Sequence, residues 1–328
     1  MKKIIGIGNA LVDKIVVLND IDIFDHFGLK KGGMDMIDCQ TKQRLHQAIH
    51  NHLSTTASGG STANAIHGLA RLGVPAGYIG KISNDEAGDF FKNDLLKSKI
   101  EPHLIYTDLD TGIATTFITE DAERTFATYL GAAATMSQDE LDRNILKNYH
   151  YILVEGYLIF NKELITKVCQ LAKEEGLQIA MDMASYNLVE ANREFIKGLL
   201  ENYIDIIFAN EEEAYAFTGK KEKDALMELA KYCKVAVVKL GGRGSLVSID
   251  GKITEIDPVK SNCIDTNGAG DIYAAGFLYG LMKGLSAEDT GKLASVLSAE
   301  LVSTVGAKLS DEQWEEIVNH SELGIGRE

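Results

Sequence analysis

Short apolar segments alternate with helix-like amphipathic segments over most of this chain. The apolar segments include residues 77–80, Tyr151–Val154 and Val235–Lys239, and runs with helical periodicity stand between such segments. Apolar runs of this length, without alternating polar residues, are typical of parallel strands that are buried on both faces. The alternation therefore predicts an α/β fold with a doubly wound, Rossmann-type sheet.

Two segments interrupt this alternation. Residues 13–40 and 100–130 contain strand-like runs and turn signals without a long helix between them. In the second segment, a polar turn at 120–123 separates two β-rich runs, which predicts a hairpin. We therefore expect these two segments to form a small β-sheet lid that is discontinuous in sequence. The rest of the chain, 1–12, 41–99 and 131–328, is expected to form the α/β body.

The charge of the chain argues against a nucleic-acid-binding function. The 328 residues carry a formal net charge of −15, whereas a nucleic-acid surface needs clustered basic residues. The N-terminal apolar run is interrupted by Gly6, Gly8 and Asp13, so it does not read as a signal peptide or a membrane span. The 4 cysteines form no CxxC pair, which indicates free thiols. We expect a cytoplasmic protein with no membrane partner.

Residues 264–273, IDTNGAGDIY, place Gly268, Ala269 and Gly270 directly before an apolar helical run. Glycine at a helix start leaves backbone N–H groups uncovered, and such groups bind anions with support from the helix dipole. Asp271, in the first turn, has two interpretations. It is either an ordinary first-turn acid, or the base that takes a proton from a hydroxyl group attacking a phosphoryl group.

A second glycine-containing segment, SGGSTAN at 58–64, precedes another helix. It forms either an N-cap with a turn, or a close approach of the backbone to a small ligand. In the second case Asn64 would offer a donor and an acceptor to sugar hydroxyls, and Asp13 would accept hydrogen bonds from a vicinal diol.

Two common nucleotide-binding motifs are incomplete in this sequence. No Gly-Lys pair has the context of a P-loop, and the GIG at 6–8 is followed by Leu11 where a dinucleotide fingerprint has its third glycine. An NAD(P)-dependent Rossmann oxidoreductase is therefore a less favoured hypothesis. A ligand sensor that kept such a fold and lost its chemistry is the non-enzymatic alternative.

Four motifs together resemble those of the PfkB/ribokinase family of carbohydrate and nucleoside kinases. In chain order they are GNALVD, SGGSTANAIHGLARLG, NEEEAYAFTG and DTNGAGDIYAAGF, and the likeness extends from Gly6 to about Gly306. The resemblance implies a ribokinase-like body with a β-sheet lid, and transfer of the γ-phosphoryl group of ATP to a hydroxyl group with Mg²⁺. The motifs are most similar to those of adenosine kinases and the bacterial sugar kinases close to them. Nucleoside and sugar acceptors both remain open.

The resemblance also implies roles for individual residues. Asp271 matches the catalytic base, and Gly268, Ala269 and Gly270 match the anion hole. The remaining correspondences are Asp13, Gly60 and Asn64 for the sugar, Asn210 and Glu213 for magnesium and its waters, and Lys239, Gly241, Gly244 and Asn267 for ATP.

Two positions in this comparison are distinctive. Lys239 stands where many members carry threonine. Arg124 lies in the lid hairpin, where adenosine-kinase-like members carry an arginine that would close over the transferring phosphoryl group. Members of the family often form homodimers through the lid, and some require a monovalent cation. Dimerisation is an expectation here, and the cation requirement is open.

Overall fold

Fourteen strands form two sheets in the computed structural model, which describes residues 2–18, 22–50, 52, 54–119 and 124–319. The strands, in chain order, are β1 (Ile4–Ile7), β2 (Leu11–Val17), β3 (Met34–Met36), β4 (Ser54–Gly59), β5 (Ala76–Ser83), β6 (Ile100–Thr107), β7 (Gly112–Ile118), β8 (Arg124–Tyr129), β9 (Tyr151–Val154), β10 (Gln178–Asp182), β11 (Ile206–Asn210), β12 (Val235–Lys239), β13 (Ser245–Ile249) and β14 (Lys252–Ile256).

The large sheet has the strand order β14-β13-β12-β11-β10-β9-β1-β5-β6, and the small sheet has the order β3-β8-β7-β2-β4. Neighbouring strands from β12 to β6 are parallel, whereas β13 and β14 form an antiparallel edge. β7 and β8 pair as the expected hairpin, although the turn at 120–123 lies outside the described residues. The expected fold class, a Rossmann-type α/β sheet with a smaller β-sheet, is confirmed.

The helices, in chain order, are α1 (Asp22–Phe27), α2 (Cys39–Ala48), α3 (Ser61–Arg71), α4 (Glu86–Lys97), α5 (Arg143–Leu146), α6 (Lys162–Glu174), α7 (Tyr186–Ala191), α8 (Arg193–Asn202), α9 (Glu211–Thr218), α10 (Glu222–Leu229), α11 (Ala269–Lys283), α12 (Ala287–Leu301) and α13 (Asp311–Asn319). Short 3₁₀ turns occur at Gly131–Thr135, Gln138–Glu140, Gly156–Phe160 and Gly241–Arg243. Within the described ranges, no helix is long and apolar enough to cross a lipid bilayer.

Helices bury both faces of the large sheet, which is why its strands are apolar on both sides. Ile4 of β1 packs into a core with α3, α11 and α12, whereas the next residue, Ile5, packs into a second core with α6, α8 and α10. Phe277 of α11 lies edge-to-face against Phe208 of β11, with 5.6 Å between the ring centroids. This contact fixes α11, whose first turn carries Asp271, against the sheet.

One face of the small sheet is covered and the other is open. Phe117 of β7 packs edge-to-face on Phe24 of α1, and α2 completes this side with Leu45. The opposite face is turned toward the carboxyl ends of the parallel strands, because Asp13 of β2 and residues at those ends line one cavity. The small sheet is thus placed where a lid would be.

Two strand assignments differ from the sequence-based division of the chain. The sequence places 100–107 in the lid, but these residues form β6 and pair with β5 in the large sheet, with α4 as the crossover. The sequence places 54–59 in the body, but these residues form β4 and pair antiparallel with β2 in the small sheet. The sequence of β4, STTASG, has no hydrophobic alternation, so only its partner strand reveals it.

Candidate active site

Four polar residues stand at the carboxyl ends of neighbouring parallel strands. Glu155 follows β9, while Asp182, Asn210 and Lys239 are the last residues of β10, β11 and β12. All four line a cavity of about 410 Å³ between the large sheet and the open face of the small sheet. Open α/β sheets bind their ligands at this edge.

Helix α11 begins beside these strands without a side-chain cap. Its N-cap residue, Gly268, has a left-handed φ of 74°, and no described side chain bonds the first N–H groups. A Cβ on Gly268 would lie 2.8 Å from Cβ of Ala307, and a Cβ on Gly270 would lie 3.0 Å from Nζ of Lys239. Glycine is therefore needed at 268, where φ is positive and the backbone of Ala307 is close, and the helix start without a side-chain cap offers donors to an anion.

Asp271 faces the cavity from the first turn of α11. Its Oδ2 accepts a 2.9 Å hydrogen bond from Nδ2 of Asn64 on α3. Desolvation raises the pKa of Asp271 to about 7; the charge of Asp182 adds to this rise, whereas Asn64 and Lys239 oppose it. A carboxyl group with a pKa near neutrality is suited to accept a proton from a reacting hydroxyl group.

A second cavity, of about 440 Å³, adjoins the first. Asn210, Lys239 and Gly270 line both cavities. Molecules bound in the two cavities would therefore meet at Gly270, next to the carboxyl group of Asp271. Two sites that meet at an anion-binding helix start are arranged for transfer of a charged group between two ligands.

Lys239 lies at the junction of the two cavities. Its Nζ is 2.7 Å from Oδ2 of Asp182. Burial alone lowers the pKa of Lys239, but the carboxylates of Asp182 and Glu213 outweigh burial and raise that pKa above its ordinary value. Among the described residues that line either cavity, Lys239 is the only basic one, so it is the positive charge at the junction.

Asn210 and Glu213 cap α9 reciprocally. The backbone N–H and Nδ2 of Asn210 each donate to the Glu213 carboxylate at 2.8 Å, and the Glu213 N–H donates to Asn210 Oδ1 at 2.9 Å. Burial raises the pKa of Glu213 to about 7, and the charge of Asp182 adds to the rise. Both residues also line the first cavity, although Glu213 is only 3% exposed.

These oxygens are of the kind that Mg²⁺ prefers. Within the described part of the chain, no group of three or more His, Cys, Asp or Glu side chains could enclose a metal ion. A magnesium ion held by Asn210 and Glu213 would therefore need phosphate and water ligands as well, which is its usual arrangement with nucleotides. The donor set fits that ion.

The three residues predicted to bind the acceptor all line the first cavity. Gly60 has a φ of 95°, and a Cβ there would collide with the carbonyl oxygen of Asn9. Oδ1 of Asn64 is buried and has no hydrogen-bond partner among the described residues. Desolvation raises the pKa of Asp13 to about 6, and the charge of Lys308 opposes this rise. A hydroxyl-bearing ligand would supply the missing partner of Asn64.

Arg124, predicted to close over a phosphoryl group, lines neither cavity. It forms an ion pair with Asp265, whose side chain is 1% exposed. The same carboxylate accepts hydrogen bonds from the backbone N–H groups of Asn267 (2.9 Å) and Gly306 (2.6 Å). In this structure Arg124 supports the loop before α11, and its catalytic role stays a prediction that requires the ion pair to open.

The residues predicted to bind ATP lie on two sides of the junction. Gly241 and Gly244 line the second cavity and have positive φ values of 57° and 88°. Asn267 lines the first cavity, on the side of the predicted acceptor. The structure thus separates Asn267 from the glycine turn with which the sequence comparison groups it.

Sequence reasoning missed Asn9, Glu155 and Asp182. Oε1 of Glu155 accepts a 2.5 Å hydrogen bond from Nδ2 of Asn9, and Oε2 accepts a 3.4 Å hydrogen bond from the N–H of Thr62. Burial raises the pKa of Glu155 to about 7. Glu155 and Asp182 could have been found as the first polar residues at the carboxyl ends of predicted parallel strands.

Apolar side chains form much of the rest of the first cavity, together with several polar ones. The small sheet contributes Leu11, Met34, Met36, Ala114 and Phe126. The segment after β9 contributes Leu158, Phe160 and Leu164. Phe160 is 70% exposed and Met34 is 55% exposed. Exposed apolar groups on both sides of a cavity mark a surface that a ligand can cover.

Several proteins of known name resemble this chain in sequence. The 5-dehydro-2-deoxygluconokinase of Clostridium perfringens is 30% identical over 279 residues, which cover 78% of this chain and 82% of that protein. The protein of the same name from Clostridium beijerinckii is 32% identical over 266 residues, which cover 75% of this chain and 78% of that protein.

Solved structures of proteins named as kinases also resemble this chain. A probable sugar kinase from Rhizobium etli superposes with a TM-score of 0.88 at 28% identity, covering 98% of this chain and 99% of the other. The adenosine kinase of Sinorhizobium meliloti superposes with a TM-score of 0.86 at 30% identity, covering 96% and 98%. Residues 27–314 match the pfkB family of carbohydrate kinases, and the chain therefore belongs to this family of phosphotransferases that act on sugars and nucleosides.

Proposed function

We propose that this protein transfers the γ-phosphoryl group of ATP to a hydroxyl group of an uncharged nucleoside or sugar, with Asp271 as the general base. The observation that carries the proposal is the meeting of two cavities at Gly270, beside Asp271. ATP occupies the second cavity and the acceptor occupies the first. The oxidoreductase hypothesis is abandoned, because the family consists of kinases.

The residues around the second cavity fit a nucleoside triphosphate. The turn at Gly241 and Gly244 and the bare start of α11 offer backbone donors to phosphate oxygens. Mg²⁺, held by Asn210 and Glu213 directly or through water, would neutralise charge on these phosphates. Some family members require a monovalent cation, and we assign no residue of this chain to such an ion.

The chemical step follows from the positions of the side chains. Asp13 and Asn64 orient the acceptor, and Asp271 takes the proton of its hydroxyl group as the oxygen attacks the γ-phosphorus. A P–O bond forms to the acceptor, and the bond from the γ-phosphorus to the β,γ-bridging oxygen breaks to release ADP. The N–H groups at 268–270 and Lys239 stabilise the charge on the transferring group. Asp271 then passes its proton to water.

The charge of the first cavity supports an uncharged acceptor. Five carboxyl groups line it, those of Asp13, Glu155, Asp182, Glu213 and Asp271. Among the described residues of this wall, Lys239 is the only cation, and it is paired with Asp182 at the phosphoryl-transfer end. An acceptor with its own carboxylate or phosphate group would meet repulsion without a counter-ion.

The shape of this cavity favours a nucleoside over a sugar acid. Polar groups at one end suit a ribose, and the apolar wall with Phe126 and Phe160 suits a flat base. The gluconate derivative in the name of the clostridial relatives is an acid, whereas the Sinorhizobium meliloti relative is named for a nucleoside. We infer that the acceptor of this chain belongs to the second type.

An assay of ADP release tests the proposal. Adenosine and inosine are expected to support turnover, ribose and fructose less so, and gluconate and fructose 6-phosphate least. Asp271→Asn should lower kcat by about 10²- to 10⁴-fold without weakening the binding of a non-hydrolysable ATP analogue. Asp89→Asn, at an exposed acid on α4, is the matched control and should retain activity.

Two results would contradict the proposal. Normal turnover by Asp271→Asn would remove Asp271 from the role of base. An absence of turnover with every acceptor, combined with a nucleoside that raises the melting temperature of the protein, would favour the ligand-sensor alternative.

A further inference from the structure

Three consecutive residues between α12 and α13 contact separate parts of the candidate site. The N–H of Gly306 donates to Asp265 in the loop before α11. Ala307 packs against Gly268, at the start of α11 itself. Lys308 reaches in the other direction, to β4 at the edge of the small sheet. This short segment therefore connects the anion-binding helix start to the sheet that covers the acceptor cavity.

Lys308 belongs to a polar cluster beneath the small sheet. Its Nζ lies 2.6 Å from Oδ2 of Asp94 on α4 and contacts Oγ of Ser58 on β4. His67 of α3 joins the cluster, with Nε2 3.2 Å from Oγ of Ser58 and 3.3 Å from Oδ2 of Asp94. Burial lowers the pKa of His67 to about 3, and the charge of Lys308 contributes. His67 is therefore neutral at physiological pH, and Lys308 and Asp94 carry the charges.

Asp13 lies on the other side of β4 from this cluster, because successive residues of a strand, here Ser58 and Gly59, point to opposite faces. β2 and β4 pair in antiparallel register, with Asp13 opposite Ala57. The carboxylate of Asp13 rests on Gly59, where a Cβ would collide with it, and Gly59 follows Ser58, the residue that Lys308 contacts. Lys308 itself lines neither of the two main cavities, so it would act on a bound acceptor through Asp13.

Charged groups from three elements surround Lys308 and His67. They come from Asp94 on α4, Asp13 on β2 and, facing His67, Arg71 on α3. Arg71 is itself paired with Asp311 at 2.5 Å, so Lys308 is the cation that contacts Asp94, and its charge also acts on Asp13. Removing Lys308 would take a positive charge away from the surroundings of both carboxylates, which disfavours their charged forms.

We propose that Lys308 is a positioning residue of the acceptor site: its ammonium group holds β4 beneath the carboxylate of Asp13 and keeps that carboxylate charged for binding the acceptor hydroxyls. The functional part of this proposal rests on the proposed function, because it takes Asp13 to be an acceptor-binding residue. The effect on Asp13 itself does not depend on activity.

The ionisation of Asp13 tests the proposal without a ligand. Protein labelled with ¹³C at the aspartate carboxyl groups is titrated by NMR, and the Asp13 signal is identified by its loss in Asp13→Asn. In Lys308→Met the titration midpoint of Asp13 should move to higher pH, whereas Lys308→Arg should restore it. Asp94→Asn, which leaves Lys308 with one carboxylate, should move the midpoint in the opposite direction. An unchanged midpoint in these variants would overturn the proposal.

Kinetics with adenosine provide the functional readout. Near pH 6, Lys308→Met should raise the KM for adenosine by about 10-fold, with a smaller rise near pH 8.5, where Asp13 ionises in both proteins. The KM for ATP should stay the same. Lys173→Met is the control, because it removes a partly buried lysine that pairs with Asp205 at 2.8 Å, away from the cavities.

The outcomes separate the two proposals. A fall in stability of Lys308→Met with an unchanged adenosine KM at both pH values would show a merely structural role and overturn the functional part. If the wild-type protein phosphorylates no acceptor but the Asp13 midpoint still shifts, the proposed function fails while the coupling of Lys308 to Asp13 is retained.

Discussion

Four carboxyl groups of the first cavity have pKa values well above the ordinary range. Burial raises the pKa of Asp13 to about 6 and the pKa values of Glu155, Glu213 and Asp271 to about 7. Each group is ordinary in sequence, and its pKa rises because the fold removes it from water; for Glu213 and Asp271, neighbouring acids add to the rise. Such shifts concentrate at functional sites, which agrees with the placement of all four in one cavity.

The acid side of the pH profile should report Asp271. This group accepts a proton only when it is ionised, and its pKa is about 7 instead of the usual 3.8. The kcat/KM for adenosine should therefore rise with pH through about 7 and level off above it. Initial rates across this range, at saturating magnesium and ATP, check the prediction. A profile that stays flat down to about pH 5 would contradict it.

Lys239 and Arg124 offer competing sources of positive charge for the transferring group. Because Lys239 lies at the junction and Arg124 is paired with Asp265, Lys239→Met should lower kcat by about 10²-fold. Lys239→Arg, which keeps the charge, should lose less. Steady-state kinetics of Arg124→Lys test whether Arg124 supplies this charge instead. A loss of kcat as large as that of Lys239→Met would support the predicted catalytic role of Arg124.

At the scale of elements, the position of α11 depends on glycine packing against α12. A Cβ on Gly276 would lie 2.7 Å from Cδ1 of Leu297 and 2.9 Å from Cα of Ala294. A Cβ on Gly280 would lie 2.7 Å from Oγ1 of Thr290, which is also on α12. The two helices therefore approach closely, and this contact holds the first turn of α11 at the carboxyl ends of the strands.

Two glycine substitutions in helices should have opposite effects on stability. Gly276→Val should lower the free energy of unfolding by about 1–3 kcal/mol, because the added atoms must displace the α12 backbone. Gly198→Ala in α8, where nothing lies within 4 Å of the new Cβ, should raise stability by up to about 1 kcal/mol. Urea unfolding measures both. If Gly276→Val and Gly198→Ala changed the free energy of unfolding equally, the close packing of α11 on α12 would not be important for stability.

At the scale of the whole molecule, the two sheets enclose the acceptor cavity, but the small sheet still exposes apolar surface. Val17 is 56% exposed at the end of β2, on the same face as Asp13, because residues four apart in a strand point the same way. Met34 and Met36 add to this exposed face. A second copy of the chain would cover it, as the resemblance to lid-dimerising kinases leads us to expect.

The oligomeric state can be measured directly. Light scattering after size-exclusion chromatography should give the mass of a dimer for the wild-type protein. Val17→Lys should shift the protein toward monomer, since a charge would be buried in the interface. Val318→Lys on α13, which is exposed elsewhere, should not. A monomer at every concentration would contradict the predicted dimer.

The strands and helices of the body could be read from the chain because hydrophobic periodicity is local. The sequence patterns place β9 and β12 at the bounds that the structure shows, and the helical runs expected between such strands are present. Sheet membership was less accessible, as β4 and β6 illustrate. A polar edge strand and a strand that follows a crossover helix acquire their identity from partners distant in sequence, and no local pattern encodes those partners.

For the site, the sequence by itself determined the glycine-rich helix start, the acid that follows it and the family. These features are short, contiguous and chemically specific. Tertiary structure alone decided that Asp182 pairs with Lys239, that Asp265 holds Arg124, and that Lys308 pairs with Asp94. Such pairings join residues separated by tens to hundreds of positions, and burial then sets their charge, so they exist only once the sheets and helices have packed.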